Sequence, residues 1–438
     1  MGYDKFVFDE NSPALINNEH CIQRPDDSVN RMLTEEPVNG IQGDIGDYVS
    51  KGSRLKKKFG LGWPLTGLLV VGEMAGSGIV ALPTAIVRCG FWPGLAILLI
   101  MAFMGITAAV LLGKSWVILL KRFPVYRTHC RRPYPEIAMR AMGVRAKYIV
   151  TACVNVSMFG VTVVFLLLCA KNTRDFLHAF LKVDMSECIL MLIIALALLP
   201  VTFLKSPKDF WHAVVLGMAS TVLAYVLIIA GSVADYTDCS PESQMPELKW
   251  SNMLLGMGTI RFTYGGHATF PTIQHDMRDP ASFDKSSILA ISLITMFNII
   301  MVTACGLAYG SSLRASVLNS IQSFWIQQAT NIMITLHCLF TLCLVVNPFS
   351  QTFEDLFHVP QGFGLKRVLL RSITMLAVVF TAATIPNFGS VLNLIGSSTT
   401  TCTSAVFPCV FYLYISAADK RSQESEDPKN QTPISFVE

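Results

Sequence analysis

Charge is what this sequence has least of. Of its 438 residues only 15% are Asp, Glu, Lys or Arg, against 52% hydrophobic, and the mean hydropathy is +0.50. A soluble domain needs a charged surface, so the deficit excludes a water-soluble globule and points to an outer surface facing lipid. The first sixty residues lack the apolar run of a secretory leader; they are polar, with Pro13, Pro25 and Pro37 and scattered acids, and read as a disordered tail. No Walker loop, paired metal motif or nucleophile elbow occurs, so ATP-driven pumping and hydrolytic chemistry are not expected, nor is a metal or a cofactor. The net charge of +4 is small, and no nucleic-acid partner is expected. No span carries a regular polar stripe, which disfavours a channel.

What the chain has is long apolar stretches separated by short polar loops. A helix needs roughly 20 apolar residues to cross the hydrocarbon core. Spans are expected near 63–85, 91–113, 147–170, 187–204, 210–234, 251–271, 284–310, 325–347, 368–385 and 388–415. The fold class is thus an all-α polytopic membrane protein of about ten helices, with tail 1–60, a transmembrane domain 61–416 and a tail 417–438. Lys and Arg mark every second boundary: Lys51 to Lys58, the loop from Lys121 to Lys147, Lys205 and Lys208, Arg278 and Lys285, Lys366 to Arg371, and Lys420 and Arg421. Basic loops stay cytosolic, so both termini are expected there; which membrane is left open. The cluster at 51–58 is read as this topology signal ahead of a specific lipid-binding role.

Most of the twelve cysteines lie inside spans, where Cys is a small apolar residue. Cys21 and Cys130 should stay reduced. Cys188 and Cys239, in the two longest outer loops, are the candidate disulfide pair, which leaves Cys89 over.

Two spans are interrupted. The first reads Gly72-Glu73-Met74-Ala75-Gly76-Ser77-Gly78, three glycines and a carboxylate at membrane depth. Unwound backbone is tolerated there where it is buried in protein or lines a cavity. Close packing through Gly72 and Gly76 is the alternative. The sixth, Arg261-Phe262-Thr263-Tyr264-Gly265-Gly266-His267 up to Pro271, repeats the peculiarity and adds an arginine, which costs roughly 2.5–3.5 kcal/mol on insertion scales. Breaks in corresponding positions of two five-helix halves point to a transporter site. Exposed amides suit a carboxylate and exposed carbonyls an ammonium; a zwitterionic amino acid needs both. The candidate binding residues are Met74, Ala75, Gly76, Ser77, Gly78, Thr263, Tyr264, Gly265 and Gly266.

The stretch Met74 to Pro83, followed by Gly90-Phe91-Trp92-Pro93-Gly94, resembles the first-helix signature of the amino acid/auxin permease family. Phe262 to His267, with Pro271, Ile273, Met277 and Pro280 beyond, resembles its sixth-helix signature; Ile385-Pro386-Asn387-Phe388-Gly389 and Phe407-Pro408 resemble the ninth and tenth helices. The similarity runs from about Gly62 to Tyr414. It implies a LeuT-like five-plus-five inverted repeat, helices one and six broken, with an amino acid at the breaks and an H+ or Na+ gradient driving symport. The family commonly carries an eleventh helix, whereas a polar tail follows Ile415 here, so an inactive or regulatory short form is one alternative; a non-transporting sensor is another. Glu73 and Arg261 depart from the small or apolar residues expected of many relatives, and as opposite charges at the two breaks they are expected to pair.

Other polar residues divide between roles. Asn155 makes an interhelical hydrogen bond or approaches the substrate. His337 is a core histidine or a proton relay, and His267 is a further coupling candidate. The hydroxyl run Ser397 to Thr401 caps a kink or lines the cavity. Tyr3-Asp4-Lys5-Phe6 fits an endocytic pattern, and Asn430-Gln431-Thr432 a glycosylation pattern on the side where it goes unused. Oligomeric state is left open.

Overall fold

The computed structural model describes residues 48–51, 54–76, 78–128, 130–203, 211–360, 364–385 and 387–426. Ser77, Cys21, Lys205, Lys208, Pro386, the Tyr3–Phe6 and Asn430–Thr432 patterns and the greater part of both expected tails lie outside the described residues.

A hairpin of β1 (Tyr48–Lys51) and β2 (Arg54–Lys57) precedes α1 (Trp63–Met74) and α2 (Gly78–Arg88). The chain continues through α3 (Phe91–Arg122), α4 (Pro133–Met142), α5 (Val144–Leu181), α6 (Glu187–Thr202) and α7 (Trp211–Ala234). Then come α8 (Trp250–Thr263), α9 (Phe270–His275), α10 (Phe283–Tyr309), α11 (Phe324–Leu356), α12 (Leu365–Thr384), α13 (Phe388–Ile395) and α14 (Phe407–Glu426), with π-helical turns at Gly396–Thr400 and Cys402–Val406 joining the last two. Seven helices among the described residues are long and apolar enough to cross a membrane. The pair α1–α2, bent by 67°, makes an eighth if it is one span; Glu187–Thr202 is apolar but shorter.

Local chemistry explains the ends. Pro64 opens α1 where its missing N–H costs nothing, and Lys121 and Arg122 close α3, where cations meet the negative end of the helix dipole. In the hydroxyl run, Thr401 donates to the Gly396 carbonyl five residues back at 2.8 Å, and Ser397 to Asn393 at 2.7 Å. Such bonds compete with the α-ladder and widen it into π-turns.

One core runs through the bundle, and a second cluster closes one end, where Tyr48, Trp116, Tyr126, Tyr134 and Phe411 pack from five segments. That cluster corrects the expected extent of the disordered tail. Tyr48 pairs with Lys57 and Ser50 with Leu55, which puts Tyr48 and Leu55 on one face of the hairpin, and both are buried. The Lys57 amide donates to the Arg278 carbonyl at 2.8 Å, and Leu61 and Met277 form a parallel bridge. Residues 54–60, inside the stretch expected to be tail, carry a basic run that hides the apolar pair beneath it.

Candidate functional site

The two breaks lie side by side. At the first, Ala75 leaves helical geometry with ψ 79°, and the Gly76 amide turns back to the Met74 carbonyl at 2.9 Å. At the second, the Gly265 amide reaches Phe262 O at 2.9 Å and Gly266 takes φ +113°, a region L side chains rarely adopt. A Cβ on Gly78 would stand 2.7 Å from Thr263 Oγ1, and one on Gly266 would stand 3.2 Å from Met74 Cγ. A Cβ on Gly265 would crowd Thr400 at 3.1 Å, and one on Gly76 would touch Phe165 at 3.3 Å. Gly78 and Gly266 are thus pressed against the opposite break, while Gly265 and Gly76 are pressed against the last span and α5. Of the proposed binding residues, Met74, Ala75, Gly76, Gly78, Thr263, Tyr264, Gly265 and Gly266 converge here.

The side chains divide differently from expectation. The Tyr264 ring is fully buried and its hydroxyl shares a 2.9 Å hydrogen bond with Thr295 on α10, so its backbone, and not its phenol, is what the break presents. Glu73 sits half-buried beside the Thr269 hydroxyl and near Gly266. It does not pair with Arg261, whose Nη2 donates to the carbonyl of Ser404 and, at 2.7 Å, to its hydroxyl. The cause is helix rotation. Gly258, Phe262 and Gly265 meet Asn393, Gly396 and Thr400, so the stripe at 258, 261–262 and 265 packs on the last span, while Thr263 faces Gly78. Two residues on an α-helix are about 200° apart, which turns Arg261 away from the first span. His267 is spent as an anchor, Nε2–H donating to the Gly105 carbonyl at 2.9 Å with its ring 4.6 Å from that of Phe270.

The Asn155 amide donates at 2.8 Å to Thr151 O in its own helix and not across helices, and the residue lines the cavity that ends just beyond the second break. His337 is better placed. Its Nδ1 lies 2.6 Å from Thr221 Oγ1 and 3.1 Å from the Gly217 carbonyl, and Thr221 in turn donates to that carbonyl at 2.8 Å. Carbonyls only accept, so this pattern assigns the proton to Nδ1 and leaves Nε2 an acceptor. Nε2 is 3.3 Å from Thr341 Oγ1 and 3.7 Å from where a Gly76 Cβ would stand. An acceptor lone pair is thus held against the first break.

Cys188 is an exposed free thiol in the first turn of α6, so the expected bond to Cys239 is not formed; Cys239 packs against the core instead.

A cavity of about 80 Å³ leads from Arg131 and Arg132 past Thr151 and Met158 to Ala268 and Thr272, just beyond the second break. Its mouth is bridged by Asp355, which Arg131 meets at 3.2 Å and Arg132 also contacts. Next to it Glu136, 8% exposed, takes Lys147 at 2.7 Å and the Tyr126 hydroxyl at 3.1 Å. Burial first, and the Glu136 carboxylate next, push the Tyr126 phenol up. None of these acids was singled out from sequence; the adjacent Glu354 and Asp355 at the end of an apolar helix were the available signal.

A family model described as transmembrane amino acid transporter protein matches residues 60–437. Among similar proteins from Arabidopsis thaliana, amino acid transporter AVT1D is 24% identical over 354 residues, 78% of this chain and 62% of its own length. Amino acid transporter AVT1E is 25% identical over 79% of this chain and 65% of its own, and AVT1I 22% over 78% and 83%. The chain thus spans less than two thirds of the first two relatives' length.

Proposed function

The chain belongs to the family of transmembrane amino acid transporter proteins, and on that premise we propose that it carries an amino acid across a membrane by alternating access, coupled to a proton gradient. The observation that carries the reading is the contact between two interrupted helices, Gly78 against Thr263 and Gly266 against Met74. In this reading the ten helical passes from Trp63 to Glu426 form a LeuT-like pair of five-helix repeats, with α1–α2 and α8–α9 as the first helix of each. The backbone around Gly76–Gly78 and Tyr264–Gly266 holds the ammonium and carboxylate, and half-helix ends supply the complementary partial charges. The Arg131–Arg132–Asp355 bridge closes the inner end. Both termini face the cytosol.

Coupling is assigned to His337, with Glu73 as the second ionisable group at the first break. A proton gained at Nε2 places a positive charge against the Gly76 turn and biases that segment between its two arrangements. Uptake of a radiolabelled amino-acid panel into proteoliposomes, with and without an inward acid gradient, tests this. At least one amino acid should accumulate, and the gradient should raise its initial rate several-fold in the natural protein but not in His337→Gln. Binding without flux for every amino acid overturns the transport reading; flux in His337→Gln still driven by the gradient overturns the coupling assignment alone.

A further inference from the structure

An apolar groove of about 380 Å³ runs between α5, α11 and α12 on the outer face of the bundle. Phe159, Phe349, Phe353 and Ile373 form its walls, and exposed Val156, Phe357 and Ala377 show that it opens outward and not toward the helix breaks. From Phe349 to Phe357 its wall climbs eight residue rises, about 12 Å, against roughly 15 Å for one leaflet of hydrocarbon.

The end of the groove is cationic. Arg131 and Arg132 share Asp355; Arg367 and Arg371, at 3.1 and 2.5 Å, share Glu354. At the polar cavity two guanidiniums, those of Arg131 and Arg132, share the single carboxylate of Asp355. Arg371 is 1% exposed, gives Nη1 to the Thr202 carbonyl, and keeps a buried Nη2 with no partner. The polar cavity lined by Arg131, Arg132 and Gln351 meets the groove at a shared residue, Asn155. A cationic polar chamber beside an apolar trough, with Asn155 lining both, has the outline of one amphiphile.

We propose that an anionic phospholipid occupies this site, an acyl chain in the Phe159–Phe349–Phe353 groove and its phosphate at Arg131 and Arg132. Excess positive charge at a membrane boundary draws anionic headgroups, and basic pockets between spans are where they lodge. A free phosphate leaves the aromatic walls unused, and a zwitterionic lipid leaves the surplus charge of the Arg131–Arg132–Asp355 group uncompensated. Asn155 lines both compartments and marks where they adjoin. The site depends only on membrane embedding and stands whether or not the chain transports.

The test uses the full chain in vesicles carrying phosphatidylserine or phosphatidylcholine with a photoreactive group in the acyl chain. The phosphatidylserine probe should label the peptides spanning 349–357 and 370–377 at least fivefold more than the phosphatidylcholine probe. Thr374→Trp, which fills the groove, should lower that labelling at least fivefold, and Arg131→Gln with Arg132→Gln should reduce it to the phosphatidylcholine level. Ile373→Trp, at an exposed position, serves the same purpose if Thr374→Trp does not elute as a single species. Equal labelling by both probes, or labelling unaffected by a filled groove, overturns the proposal; so does complete displacement of the phosphatidylserine probe from the natural protein by inorganic phosphate alone.

Discussion

A methyl group at Gly78 would stand 2.7 Å from the Thr263 hydroxyl and 3.1 Å from Thr263 Cα. The hydroxyl can rotate away, but the Cα belongs to the facing break and moves only if that segment moves. Overpacking of this kind costs about 1–3 kcal/mol. Gly78→Ala should therefore lower uptake at least tenfold with membrane expression largely kept, while Gly364→Ala, with nothing within 4 Å, should behave as the natural protein. Uptake by Gly78→Ala within twofold of the natural protein would show that the two breaks are not pressed together during transport. The glycines were legible in sequence because three in seven residues at membrane depth are a poor helix, whatever surrounds them. The expected Glu73–Arg261 pair failed for a reason no linear pattern contains. Which way Arg261 leaves its helix depends on rotation about the axis, and that is set by Gly258 and Phe262 packing on Asn393 and Gly396. The interhelical bond expected of Asn155 failed likewise, since an amide that bonds Thr151 in its own helix looks in sequence like one that bonds across helices.

At the scale of elements, the hairpin is the piece most easily lost from a sequence reading. Two residues of loop-forming type, Gly52 and Ser53, separate the strands in sequence, but the strands are four residues each and rich in lysine. What fixes it is Tyr48, fully buried, its ring 6.3 Å from that of His275 and 5.5 Å from the Lys57 ammonium. Truncating a buried aromatic costs about 3–5 kcal/mol, enough to detach so short an element from α9. Tyr48→Ala should therefore raise the rate of tryptic cleavage at Lys56 to Lys58 by roughly two orders of magnitude, as local opening becomes cheap. An unchanged rate would mean that the backbone bonds to Arg278 and Asp276 hold the hairpin unaided. The long helices were legible because apolar content over some twenty residues is a strong signal; α4 was not, because a ten-residue amphipathic helix inside a basic loop yields neither a span nor a gap.

Across the whole molecule, tertiary contacts sort the loops into two ends. Lys57 bonds Arg278; Arg122 donates to Ser422 at 2.6 Å; Arg131 meets Asp355; Arg371 reaches Thr202. Segments near 57, 122–131, 202, 278, 355–371 and 422 therefore share one end. At the other, Thr84 donates to Arg314 O at 2.5 Å, Ser311 to Gln244 O at 2.7 Å, and Asp235 accepts from Tyr309 at 2.6 Å. The first set is the set of boundaries that carries most of the lysine and arginine, so the alternation seen along the chain and the sorting seen in space agree without reference to each other. An impermeant maleimide should separate the two sets in sealed vesicles of either orientation. On a background without other reactive thiols, Arg145→Cys, Lys366→Cys and Lys420→Cys, all exposed, should label from one side only, and Cys188, Ser311→Cys and Arg314→Cys from the other side only. Permeabilisation should equalise them. Because basic loops are retained in the cytosol, the first group should be the one hidden in right-side-out plasma-membrane vesicles, or the one exposed on intact organelles. Labelling of Lys420→Cys together with Ser311→Cys would require an odd number of crossings between Trp63 and Lys420, and would overturn both the ten-pass reading and the inverted repeat built on it.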